Sequence, residues 1–228
     1  MKNNETLNHV SKLAPTSLLT GSYAIGGYGP YLDYGTAGVT LSQNLVFATG
    51  GSALFANSNG NTLEPPDVVP NVITSNIFAC AHVRAQDDDT ALKIRSLTPT
   101  HFFSNIIYGY APKNDTDSMQ AVQTNAMPEW YSVHRWENNT YYNAGRGAAD
   151  FGASWPGLRN WTAWQASGHD VHSQVADPLF YNPAGGDFRI HAGSPALDLG
   201  FRPFDASLAG VRLENLYWWI LAAVGDGC

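Results

Sequence analysis

Phe103-Ser104-Asn105-Ile106-Ile107-Tyr108 closes a short β-prone run with an Asn followed by aliphatic and aromatic residues, and the same pattern occurs three more times. The other copies are Ser42-Gln43-Asn44-Leu45-Val46-Phe47, Thr74-Ser75-Asn76-Ile77-Phe78-Ala79 and Glu137-Asn138-Asn139-Thr140-Tyr141-Tyr142, with a fainter start at Leu7-Asn8-His9-Val10. The steps from Asn44 to Asn76, Asn105 and Asn139 are 32, 29 and 34 residues, the self-similarity of a coiled repeat array. Between the Asn positions the residues are β-branched, aromatic and small. No stretch carries apolar residues at helical spacing for three turns. The repeats therefore predict stacked β-coils, in which an inward-turning Asn bonds the Asn of the coils above and below, as amide ladders do in cross-β stacks. The competing reading is that Asn recurs only because it suits turns.

Working outward, Gly26-Gly27-Tyr28-Gly29-Pro30 reads as a tight turn after one or two partial coils in Met1 to Ile25. Tyr31 to Phe151 reads as four coils with three polar or Pro-bearing insertions, Ala56 to Pro70, Gln86 to Leu92 and Ala111 to Pro128. These are expected as projecting loops, the usual carriers of function in repeat folds. Trp155 to Ser167 fits a short helix capped by Asn160 or Thr162, and Asp177-Pro178 and Asn182-Pro183 mark later turns. The expectation is one all-β domain over 1–228, with coils over 1–151 and a C-terminal coil and cap over 152–228.

Composition narrows the function. The chain has 228 residues, a formal charge of −7 and only 14% charged residues, so it lacks the basic footprint of a nucleic-acid binder. Its longest apolar run, Tyr217 to Val224, falls far short of the ~20 residues a membrane span requires. Seven Trp, eleven Tyr and ten Phe supply flat faces of the kind that sugar rings stack on, although most are expected in the core. Two cysteines, Cys80 and Cys228, define no disulfide framework. Sequons at Asn4, Asn114, Asn138 and Asn160 would accept glycans in a eukaryotic secretory pathway. No cofactor motif is present and none is expected. His169, Asp170 and His172 could be read as a metal cluster, but turn and cap hydrogen bonding is the simpler role. Asp87-Asp88-Asp89 lacks the spacing of a calcium loop.

The segment Trp164-Gln165-Ala166-Ser167-Gly168-His169-Asp170-Val171-His172-Ser173, then Asp177-Pro178-Leu179-Phe180, Gly186-Asp187-Phe188-Arg189-Ile190 and Gly193-Ser194-Pro195-Ala196 to Gly200, is the most specific in the chain. It resembles the closing region of bacterial and algal right-handed parallel β-helix proteins, especially those similar to family 141 glycoside hydrolases. The stretch Tyr31-Leu32-Asp33-Tyr34-Gly35 resembles an internal coil of the same proteins. The resemblance implies a right-handed parallel β-helix with a C-terminal cap, handling extracellular or cell-surface polysaccharide. It marks Asp33 as an active-site carboxylate, where the plain alternative is an Asp bonding its own turn amides. Tyr31, Tyr34, Asn57 and Asn59 are the expected substrate-binding residues.

Glycosidases of this kind generally need a second carboxyl group. The region where relatives carry it, Leu18 to Ile25, has no acid, and Phe55 to Asn61 stands where a His-Gly-Asn type loop is expected. Glu64, Asp67 and Glu129 are candidate substitutes, and a truncated N-terminus would also explain the gap. Two non-catalytic readings compete with the enzyme: a structural β-helix that stacks head to tail into a glycosylated fibril, and a glycan-binding module.

Overall fold

The structure is a computed structural model that describes residues 18–20, 28–49, 51–57, 68–79, 90–109, 120–124, 133–143 and 160–206. It is mostly β-strand, in three parallel sheets with few helices. Sheet I contains β2 (Tyr31–Leu32), β5 (Leu54–Asn57), β8 (Thr90–Arg95) and β11 (Gln120–Thr124). Sheet II contains β3 (Thr40–Ser42), β6 (Asn71–Thr74), β9 (Thr100–Phe103) and β12 (Arg135–Glu137). Sheet III contains β1 (Leu18–Thr20), β4 (Leu45–Phe47), β7 (Ile77–Ala79), β10 (Ile106–Tyr108), β13 (Thr140–Tyr142) and β14 (Gln174–Val175). From β2 to β13 the chain visits sheets I, II and III in that order four times.

Register aligns like side chains into columns. Leu41, Ile73, Phe102 and Trp136 are successive partners on sheet II. Val46, Phe78, Ile107 and Tyr141 follow one another on sheet III, and Leu54, Leu92 and Val122 on sheet I. All are buried in one apolar cluster. The Phe102 and Trp136 rings stack face to face with centroids 3.8 Å apart. Sheet II strands alternate buried and half-buried residues, as a sheet with one covered face requires. Sheet III strands such as Ile-Phe-Ala and Ile-Ile-Tyr are buried throughout, because a second cluster of Phe180, Phe188, Ala196 and Phe201 covers the other face of that sheet. Phe180 and Phe188 come from an antiparallel hairpin, β15 (Phe180–Asn182) and β16 (Asp187–Ile190). Helix α1 (Trp161–Ala166), capped by the Asn160 side chain, sets Trp164 edge to face on Trp136 at 5.7 Å. A shorter helix, α2 (Pro195–Asp198), follows.

The Asn repeat forms a continuous ladder through the buried turn between sheets II and III. Asn44 Nδ2 donates to Asn76 Oδ1 at 2.8 Å, Asn76 to Asn105 at 3.0 Å, and Asn105 to Asn139 at 3.1 Å. Each Oδ1 also accepts the backbone N–H of the preceding Asn, at 2.9 to 3.0 Å. The second Nδ2 hydrogen of Asn76, Asn105 and Asn139 goes to the carbonyls of Leu41, Ile73 and Phe102. The residue before each Asn (Gln43, Ser75, Ser104, Asn138) has a left-handed backbone, with φ between 53° and 58°. That corner aims the amide inward.

The ladder ends on a carboxylate. Asn139 Nδ2 donates to Asp170 Oδ1 at 2.9 Å, while Tyr141 Oη and Trp164 Nε1 each donate to Oδ2 at 2.8 Å and the Ser173 hydroxyl donates to Oδ1. Burial raises the Asp170 carboxyl above its ordinary range, and the four donors work against that rise.

Three expectations need correction. Ala111 to Pro128 is not all loop, because Gln120–Thr124 is a strand of sheet I. Val122 there fills the interior beneath Leu92, and the polar Gln and Thr on either side hide its alternation in the sequence. The insertion read as Gln86 to Leu92 ends earlier, since β8 begins at Thr90. The helix read over Trp155 to Ser167 is observed from Trp161, with Asn160 as its cap.

Asn105→Ala would take the acceptor from the Asn76 backbone N–H and from one Nδ2 hydrogen of Asn76, and the Asn105 donor from the Ile73 carbonyl. At about 1 kcal/mol or more per orphaned buried group, urea denaturation is expected to show a loss of about 3 kcal/mol or more. A loss below about 1 kcal/mol would mean the ladder follows the fold rather than holding it. A pH effect is expected at His134, whose Nε2 lies 3.0 Å from the Ser96 carbonyl and whose buried Nδ1 has no partner among the described residues. Burial lowers its pKa from 6.5 to about 4. The unfolded chain therefore binds this proton first, and stability is lost as pH falls from 6.5 toward 4. The raised Asp170 carboxyl acts in the opposite sense, so the comparison is with His134→Gln, which should flatten the His134 share of the acid limb in thermal melts.

Candidate functional site

The outer face of sheet I collects four of the residues singled out in the sequence. Tyr31 and Leu32 alternate outward and inward, so Asp33 and Tyr34 leave the strand on its solvent side, where both are exposed. A tight turn follows. Thr36 donates to the Asp33 carbonyl from its N–H (3.2 Å) and its hydroxyl (2.5 Å), and the two central residues, Tyr34 (φ 53°) and Gly35 (φ 73°), are left-handed. That is the pattern of a type I′ turn. Glycine suits it, whereas a tyrosine in this region is strained.

Asn57, at the end of β5, joins the group. Its Nδ2 donates to Asp33 Oδ1 at 3.0 Å and to Tyr31 Oη at 3.2 Å. Asp33 Oδ1 also accepts the Tyr34 N–H at 2.9 Å. That one oxygen caps its own turn and also engages Asn57, one strand over. The Tyr31 phenol is pushed above its ordinary pKa, chiefly by burial and also by the Asp33 carboxylate, against the bond from Asn57. It stays protonated near neutrality.

The register of sheet I adds residues that motif reading missed. Tyr31 pairs with Phe55, and Phe55 with Lys93. The Tyr31 and Phe55 rings stack at 4.7 Å with 5° between planes, and Tyr28 leans on Phe55 at 4.9 Å. Lys93 is only 2% exposed, and its Nζ lies 5.1 Å from the Phe55 centroid and 5.8 Å from that of Tyr28, within the range of cation–π attraction. Arg95 pairs with Asn57. Tyr28 reaches this face because Gly29 passes close to the next strand, where an added Cβ would sit 2.0 Å from the Ala53 carbonyl oxygen. The face thus offers the exposed Tyr31 ring, backed by the buried Phe55 ring, beside a carboxylate and an amide joined by a hydrogen bond.

The other sequence candidates fall elsewhere. Asn59, the acids Glu64, Asp67 and Glu129, Asp87 to Asp89, both cysteines, and the sequons at Asn4 and Asn114 lie outside the described residues. Asn138 is half-buried at a ladder corner. Asn160 is exposed and uses Oδ1 to cap α1 at 2.9 Å. His169, Asp170 and His172 do not converge: His169 Nδ1 contacts Ser167, Asp170 closes the ladder, and His172 Nδ1 contacts Glu137 Oε2 at 2.6 Å. Among the described residues no helix is long and apolar enough to cross a membrane.

Comparison of the chain with protein-family models, with curated proteins and with solved structures found no match in any of the three.

Tyr34 carries backbone strain of roughly 1–2 kcal/mol, and its ring is 77% exposed. Tyr34→Gly is therefore expected to keep or raise the thermal midpoint, and Gly35→Ala to lower it. A clear fall for Tyr34→Gly would show that the ring packs against something that offsets the strain.

Proposed function

We propose that the three sheets are the faces of a right-handed parallel β-helix with a C-terminal cap, and that the Asp33 face of sheet I binds extracellular or cell-surface polysaccharide. The cyclic order of strands through the sheets supports the first part, together with the resemblance to family 141 glycoside hydrolases. The observation that carries the second is the bond pair from Asn57 to Asp33 and Tyr31. It fixes one oxygen of an exposed carboxylate beside Tyr31, which is 47% exposed. A sugar places hydroxyls against fixed acceptors and its C–H face against such a ring, and preorganised groups give up less freedom on binding.

Glycan binding is the activity this geometry supports best. Hydrolysis with Asp33 as the catalytic carboxylate is the extension of the same site, and it needs a second carboxyl group roughly 5 to 10 Å away. The fibril reading gains less support, because α1 lies over the last interior Trp136 and occupies the end onto which another copy would stack.

Affinity electrophoresis of the full chain through gels containing soluble plant and algal polysaccharides tests the reading. Retardation by at least one polysaccharide is expected, weakened about tenfold by Asn57→Ala and by Asp33→Asn, near 1.4 kcal/mol for each. Release of new reducing ends that Asp33→Asn abolishes would extend binding to hydrolysis. No retardation by any polysaccharide, or retardation unaffected by either change, would overturn it.

A further inference from the structure

A cleft of about 520 Å³ lies on a different part of the molecule, between the outer face of sheet III and the β15–β16 hairpin. Its floor is apolar, formed by Leu45 and Ile77 with the rings of Phe47, Phe188 and Phe204. Phe47 and Phe188 tilt against each other at 5.3 Å, and Phe47 and Phe204 are only partly buried. Its mouth is charged. Arg189 donates to Asp187 from Nε to Oδ1 at 2.8 Å and from Nη2 to Oδ2 at 2.5 Å, and Asp205 also lines the cleft. The guanidinium sits 5.2 Å from the centroid of Tyr181, a ring 55% exposed that also packs on His191 at 3.8 Å. The rim is therefore braced rather than free to reorient, and Gly186, left-handed at φ 79°, turns the chain into it.

Size and lining match a small-ligand site, predominantly apolar with a few fixed polar groups. The charges restrict the occupant. The Asp187 carboxylate already pairs with the guanidinium, which disfavours an anion, and the guanidinium at the mouth disfavours a cation. A purely aliphatic occupant would leave the Asp187–Arg189 pair unanswered at the rim. A neutral pyranose answers both halves, with its C–H face on the phenylalanines and its hydroxyls on the guanidinium and carboxylate. We propose that this cleft is a second, separate binding site for a neutral sugar residue. It shares no residue with the Asp33 face, so each stands or falls alone.

Saturation-transfer difference NMR on the full chain tests it, with the methyl glycosides of glucose, galactose, mannose, xylose and fucose as probes. The cleft variants are Phe47→Ala and Arg189→Ala. The second alters a side chain that is 75% exposed, so it serves if the first fails to fold. Millimolar binding of at least one glycoside is expected, with transfer concentrated on ring C–H protons. The affinity should fall about tenfold in either cleft variant and stay unchanged in Asp33→Asn. The proposal is overturned if no glycoside receives saturation, if both cleft variants bind like the parent, or if only Asp33→Asn loses binding. It is also overturned if an N-acetyl Phe-Leu amide binds in the cleft while the glycosides do not, which would make it a peptide site.

Discussion

The hydrogen bonds of four buried asparagines are the constraint on which the rest of this protein depends. A buried primary amide has two donors and two acceptor sites, and each unfilled one is costly. Stacking identical amides at the strand spacing fills one donor and one acceptor of each, and a backbone carbonyl and a backbone N–H fill the other two at Asn76, Asn105 and Asn139. The arrangement has a direction, with every side chain donating toward the next, so its last member must find a partner that only accepts. Asp170 supplies it, gathering Asn139, Tyr141, Trp164 and Ser173 on two oxygens. An Asn in its place would bring two donor hydrogens to a site already surrounded by donors.

The ladder also fixes where function can sit. Once each Asn is locked to the next, the register of all three sheets follows, and a slip of one residue would turn every interior side chain outward. Sheet III is covered on both faces along much of its length. The outer face of sheet I instead gathers Tyr31, Asp33, Phe55 and Asn57 from successive passes of the chain, with Asn57 lying 24 residues from Asp33 and 26 from Tyr31. Proximity across that gap is a product of register rather than of local sequence. The hairpin that covers sheet III creates the separate cleft as it turns at Gly186.

The parts legible in the sequence were those with a strong local signature. The recurrent Asn with apolar residues after it marked sheet III and its preceding corner, and the continuous apolar triplets there reflect burial on both faces. Asn160 was legible as one of two candidate caps, beside Thr162, of a short helix. Strand β11 was not, since only Ala121 and Val122 separate it from a polar loop. Asp33, Tyr31 and Asn57 were each named on the family resemblance, but nothing local indicated that one amide would join them. Phe55, Lys93 and Arg95 were missed because insertions of unequal length between the strands of sheet I hide their alignment. Aligning successive Tyr31, Phe55 and Lys93 positions would have exposed the column.

Native-state hydrogen exchange read at single residues tests the ladder most directly. The backbone amides of Asn44, Asn76 and Asn105 bond to side-chain oxygens of the next Asn, and that of Asn139 to the Ser173 hydroxyl at 2.7 Å. If these contacts hold the stack together, all four amides exchange only through global unfolding, with one shared opening free energy. Exchange at the rate of exposed turns, or four unrelated opening free energies, would contradict the account.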